Sequence, residues 1–258
     1  MFERTALPEG PRVISARLPG SRSVSIAAYV LAGSRLETPD QAGVAHFMEH
    51  LTFKGTADYP SSRAISEAIE GVGGSFNAAT DRESTVYWVR VPRREAERAM
   101  DVLGELVVRP RLEDADIDQE RTVIVEEIRS YLDDPSEYVQ ILFQQAMFGD
   151  GALGREICGD EAGIRALPSK TIRDFWQIAY RPANAVVAVA GDLGHDEAVA
   201  LATTVFAGRY VVTQKSRIVA AGSPRIPASS PQISRPSGPS PKSAVWISIW
   251  QYSDGSSR

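Results

Sequence analysis

His46-Phe47-Met48-Glu49-His50 sets two of the chain's three histidines four residues apart, with a glutamate directly before the second. The spacing asks for a helix, because at about 100° per residue positions 46 and 50 lie only about 40° apart on the helical wheel. Glu49 falls about 60° to the other side of His46. Both imidazoles then reach one metal ion while the carboxylate flanks it. The order H-x-x-E-H points to a zinc hydrolase: zinc activates water and polarises a carbonyl oxygen, and a nearby carboxylate that is not itself a ligand supplies the base. His46 and His50 are the candidate ligands and Glu49 the candidate general base.

The rest of the composition narrows the partners. A chain of 258 residues, 43% hydrophobic, has enough apolar residues for one large domain or two small ones. The formal charge of −5 gives no basic footprint for nucleic acid. No apolar run approaches the roughly 20 residues that span a membrane, so neither nucleic acid nor membrane is an expected partner. Met1 to Pro19 carries charges without an apolar signal core, and Cys158, the only cysteine, cannot form an intramolecular disulfide. A cytoplasmic location is the expectation.

Along the chain, Arg12–Leu18 and Arg22–Ala32 read as strands joined in a hairpin by Pro19-Gly20, with Val24, Ile26, Ala28 and Val30 alternating on one face. Thr38-Pro39-Asp40-Gln41 resembles a capping box that opens the pentad helix, which Gly55 can end. A second amphipathic helix is expected over Arg63–Glu70, then extended stretches at Ser75–Thr80 and Thr85–Val91. Long helices follow near Arg94–Val108 and Asp116–Leu132, with another after Pro135. Thr171–Tyr180 reads as a helix, Ala185–Ala190 as a buried strand and Asp196–Phe206 as a final helix. The class is α+β. His195 reads as a solvated loop residue and Cys158 as a small packed one. From about Arg209 the prolines and serines multiply, and residues 209–258 are expected to form a disordered tail in which Ala244–Trp250 is a short apolar segment.

A catalytic zinc takes three protein ligands and keeps one position open, so the pentad needs a third donor. On the helix over Asp116–Leu132, Glu120 and Glu127 lie about 20° apart and border the stripe of Ile117, Ile124 and Ile128, whereas Glu126 falls about 120° away with Thr122, Arg129 and Ser130. An ionised carboxylate on a core-facing stripe is costly unless a cation, a donor or a metal meets it. This favours Glu127 as ligand and Glu120 as its supporting acid over Glu126.

Together these residues resemble the pitrilysin and mitochondrial processing peptidase family of zinc metallopeptidases, the inverzincins. The resemblance rests on Gly33-Ser34-Arg35, Gly43 through Thr56 (GVAHFMEHLTFKGT), Gly73-Gly74-Ser75-Phe76-Asn77-Ala78, Thr85-Val86-Tyr87, Glu120 through Ile128 (ERTVIVEEI), Tyr180-Arg181-Pro182 and Ala190-Gly191-Asp192, and it covers about residues 3–208. It implies one zinc per chain on His46, His50 and Glu127, with Glu49 as general base and Glu120 in support. It implies a mixed, largely antiparallel sheet packed with helices on one side. Ser75, Phe76, Asn77 and Ala78 would form a sheet edge to which a peptide or unfolded segment adds as a strand. The expected organisation is an N-terminal metallopeptidase domain over residues 1–208 and the tail over 209–258, with the family's second domain absent. The family's pairing of related domains implies a homo- or hetero-oligomer. The expected function is a zinc-dependent endopeptidase domain; the alternatives are a partner-dependent peptide-binding subunit, or a truncated fragment with an intact metal site and little turnover.

Overall fold

Strict alternation of small and branched apolar residues with polar ones builds the centre of the molecule. In the computed structural model, which describes residues 1–8 and 10–207, six strands form one sheet: β1 (Glu3–Ala6), β2 (Arg12–Arg17), β3 (Ser23–Val30), β4 (Ser75–Thr80), β5 (Thr85–Pro92) and β6 (Ala185–Gly191). The order is β1-β2-β6-β3-β5-β4. Only β2 and β6 pair in parallel, so the sheet is mixed and largely antiparallel. Val24, Ile26, Ala28 and Val30 of β3 and Tyr87, Val89 and Val91 of β5 are buried on one face, while Ser25, Tyr29, Trp88 and Arg90 stand exposed on the other.

The described helices are α1 (Val44–Thr52), α2 (Ser62–Ile69), α3 (Ala96–Val108), α4 (Asp114–Asp133), α5 (Pro135–Phe148), α6 (Glu161–Ala166), α7 (Ser169–Ala179) and α8 (His195–Ala202). None of them is long and apolar enough to cross a membrane. Helix α3 packs on β3 and β5, α8 on β2, and α1 on β4 and β5 as well as on α4 and α7. Helix α1 is therefore central, with Val44, Ala45, Phe47, Met48 and Leu51 all buried. Its burial fixes the pentad's orientation, since a nine-residue helix is too short to persist on propensity alone.

Three expectations are corrected. β2 and β3 do not form a hairpin: β6 lies between them, bonded to both, and the hairpin partner of β2 is β1. Thr38 does head a capping box, but it closes a separate 3₁₀ turn over Pro39–Gln41, and α1 starts later, from Gly43. His195 is not a solvated loop residue. It opens α8, and its ring bridges Thr5 Oγ1 of β1 and Ser15 Oγ of β2, both at 2.8 Å. The arrival of β6 beside β2 delivers the histidine there. Residues 209–258, including Ala244–Trp250, lie outside the described residues.

Candidate metal centre and active site

Helix α1 brings His46 and His50 one above the other, with their Nε2 atoms 3.1 Å apart. Helix α4 crosses α1 and presents Glu127 to both: Oε1 lies 3.7 Å from His46 Nε2 and Oε2 lies 3.4 Å from His50 Nε2. Donors about 2.0–2.1 Å from a tetrahedral zinc sit roughly 3.3–3.4 Å from one another. The three side chains thus fit a zinc ion as they stand. Glu126, by contrast, is exposed and pairs with Arg129 at 2.7 Å on the outer side of α4.

The surrounding groups orient these donors. Glu120, 3% exposed, meets His50 Nδ1 through Oε1 at 2.9 Å and Lys54 through Oε2. An ionised carboxylate can only accept, so His50 donates from Nδ1 to Glu120, and Nε2, which faces His46 and Glu127, is the nitrogen that would take a metal on giving up its proton. Tyr131 donates its hydroxyl to Glu127 Oε1. His46 Nδ1 is buried and meets no hydrogen-bond partner among the described residues.

The ionisation pattern follows from these contacts. Burial and the neighbouring charge of His50 push His46 down to about 4. Burial would lower His50 too, but hydrogen bonds to Glu120 and Glu127 outweigh it and raise the ring to about 9. Burial opposes ionisation of Glu120 and Glu127, yet their bonds to His50, with Lys54 on the first and Tyr131 on the second, hold both carboxyls below the usual range. Two ionised carboxylates around converging imidazoles are the charge complement of a divalent cation.

Cys158 offers a rival donor, because its sulfur, the His46 ring and a Glu127 oxygen also lie within 4.8 Å of one another. Its Sγ is 4.0 Å from His46 Nε2, longer than the spacing to His50. Burial, reinforced by the charge of Glu127, pushes the thiol far above its ordinary value in the metal-free protein. His50 is the better third partner of His46 and Glu127.

Glu49 is half-buried, and burial raises its carboxyl against the pull of a hydrogen bond from Thr80 Oγ1 to Oε2 at 2.5 Å. Thr80 ends β4, the edge strand. Along that strand Ser75 and Asn77 are exposed, while Phe76 and Ala78 are half-buried. The ring of Phe76 packs against Phe53, which follows α1, at 5.6 Å between centroids. The Ala78 N–H is met by the Asn77 side chain at 2.9 Å. The edge strand and the pentad helix are thereby joined at both ends of β4.

Four residues of this neighbourhood escaped the reading of the sequence: Lys54, Thr80, Tyr131 and Glu37. Tyr131 had a signal, since it lies one helical turn beyond Glu127 on the same face. Lys54 lies just beyond the end of α1, and Thr80 shares the half-buried face of β4 with Phe76 and Ala78, but no local pattern names Glu120 or Glu49 as their partners.

The fold and the converging donors define a peptidase-like α+β domain, and comparison with known proteins fixes its family. Residues 12–161 match the insulinase family, peptidase family M16, and the chain belongs to that family. Residues 166–248 match the family's inactive domain, a range that runs beyond the described residues. An uncharacterized zinc protease of Streptomyces coelicolor is 41% identical over 196 residues, 76% of this chain and 42% of that protein. A probable mitochondrial-processing peptidase subunit beta of Arabidopsis thaliana is 33% identical over 76% of this chain and 36% of its own length. The crystal structure of a protease from Helicobacter pylori superposes with a TM-score of 0.77 at 24% identity, over 81% of this chain and 50% of that one. The chain spans less than half the length of these two curated relatives.

Proposed function

We propose that this chain is a zinc-dependent endopeptidase domain that hydrolyses peptides or unfolded segments lying along β4. The observation that carries the reading is the approach of His46 Nε2, His50 Nε2 and Glu127 to within 3.1–3.7 Å of one another, with the separate carboxylate of Glu49 tied to the edge strand. His46, His50 and Glu127 would hold the zinc, which would supply Lewis acidity toward the scissile carbonyl and the attacking water. Glu49 takes a proton from that water and delivers it to the leaving amide nitrogen, a role that its raised carboxyl suits. Glu120 and Lys54 hold the His50 ring, and Tyr131 holds the Glu127 carboxylate.

Substrate binding follows from the edge. Backbone pairing along Ser75–Ala78 tolerates many sequences, and the Asn77 side chain would release the Ala78 N–H as a peptide strand arrives. A cavity of ≈ 390 Å³ shares Tyr131 and Cys158 with the metal neighbourhood, and its walls of Ile128, Leu132 and Ile141 suit an apolar side chain of the substrate.

Zinc analysis of the purified protein, together with mass-spectrometric cleavage of a mixed peptide library, tests the reading. About one zinc per chain and zinc-dependent cleavage are expected, and Glu49→Gln should keep the metal while losing about 10²–10⁴-fold in rate. Undiminished cleavage by that variant would remove Glu49 from the mechanism, and absence of zinc would remove the metal.

A further inference from the structure

Helix α1 has only nine residues, and His46 lies in its first turn, where backbone N–H groups lack partners within the helix and fraying is greatest. The residue before the helix cannot cap it. Gly43 takes φ +90°, and a Cβ there would come within 2.6 Å of the Cys158 carbonyl oxygen and 2.7 Å of Ile164 Cδ1. The position is given over to close packing and a left-handed backbone, which excludes the Ser, Thr or Asp that ordinarily caps a helix.

The acceptors come instead from a residue six positions upstream. Glu37 is 5% exposed; its Oε2 accepts from the Gly43 N–H at 2.9 Å and its Oε1 from the Ala45 N–H at 2.8 Å. Arg155 holds Glu37 in turn, donating from Nη2 to its backbone carbonyl at 2.5 Å. The segment that carries Arg155 also carries Cys158, which packs on Gly43, so one loop secures both the glycine and its distant cap.

We propose that Glu37 is a positioning residue for the metal centre, a remote cap whose two hydrogen bonds hold the first turn of α1 and thereby set His46 against His50 and Glu127. The inference rests on the metal reading above. A buried carboxylate is an expensive cap, as the rise of its carboxyl to about 7 through burial illustrates, with the bonds to Ala45 and Gly43 and the charge of Arg155 acting in opposition. A surface side chain would serve if only helix stability were needed. What Glu37 adds is a fixed acceptor pair directly ahead of the first ligand.

The test compares wild type, Glu37→Ala and Glu37→Gln by zinc competition against a colorimetric chelator and by amide hydrogen exchange. Glu37→Ala should weaken zinc 10–100-fold, the range for residues that orient metal ligands. It should also lose protection at amides 45–47 while strands β3 and β5 keep theirs. Glu37→Gln keeps one carbonyl acceptor and should recover much of the affinity, and it serves if the alanine variant fails to fold. Unchanged zinc affinity in Glu37→Ala would overturn the proposal, whether exchange is unchanged or rises evenly across the chain. Selective fraying of the first turn in a protein that binds no zinc even as wild type would leave the cap standing and sink the metal reading instead.

Discussion

Removing the Glu120 carboxylate charge should loosen zinc without removing a ligand. Glu120 Oε1 accepts from His50 Nδ1 at 2.9 Å at a site where Glu120 is only 3% exposed, so this bond is charge-assisted and poorly screened. Such bonds contribute about 1.5–3 kcal/mol, and about 1.4 kcal/mol corresponds to tenfold in affinity. Glu120→Ala should therefore weaken zinc by roughly 10–100-fold. Glu120→Gln keeps an acceptor for His50 but turns an amide toward Lys54, and should fall near the lower end of that range. Adding Lys54→Met to Glu120→Gln should cost less than the two changes summed, because the ammonium no longer lacks its partner. Chelator competition at pH 7.5 reads all three. Wild-type affinity in Glu120→Ala would refute the orienting role, and a loss as complete as that of His46→Ala would make Glu120 a ligand.

Two further outcomes separate this account from simpler ones. Glu127→Gln should abolish tight zinc binding while Glu126→Gln, on the exposed side with Arg129, leaves it unchanged; metal content after dialysis decides, and the reverse order would invert the assignment. The second is a pH effect. Burial raises the folded pKa of Glu37 from 4.5 to about 7, so the folded state binds its proton more tightly than the unfolded state. The contribution of Glu37 to the stability of the metal-free protein should then be greatest below the unfolded value and be lost as pH rises through about 7, by about 3 kcal/mol. Urea midpoints between pH 4.5 and 7.5 should show that slope in wild type and a flatter one in Glu37→Gln; equal slopes would refute it.

The convergence of His46, His50 and Glu127 was legible because these residues obey helical periods. The two histidines stand four positions apart, and the apolar stripe Ile117, Ile124, Ile128 carries Glu120 and Glu127 on its border, so a wheel suffices to bring them inward. Strands β4 and β5 were legible as extended stretches over Ser75–Thr80 and Thr85–Val91. The failures in topology are long-range. β6 inserts between β2 and β3 from more than 150 residues away, and a local pattern cannot show that two successive strands are kept apart. The same crossover carried His195 to Thr5 and Ser15. Short α6 gave too few residues for a period. Glu37 gave none, because its partners are the backbone N–H groups of a turn whose start the sequence placed too early.

Zinc K-edge absorption fine structure of the purified protein tests the central claim most directly, since it counts the donors on the ion itself. The account predicts a shell of nitrogen and oxygen at about 2.0–2.1 Å with the outer scattering of two imidazoles, and no sulfur at about 2.3 Å. A sulfur shell would replace His50 or Glu127 with Cys158, and a single imidazole would break the pairing of His46 with His50 on which the proposed chemistry depends.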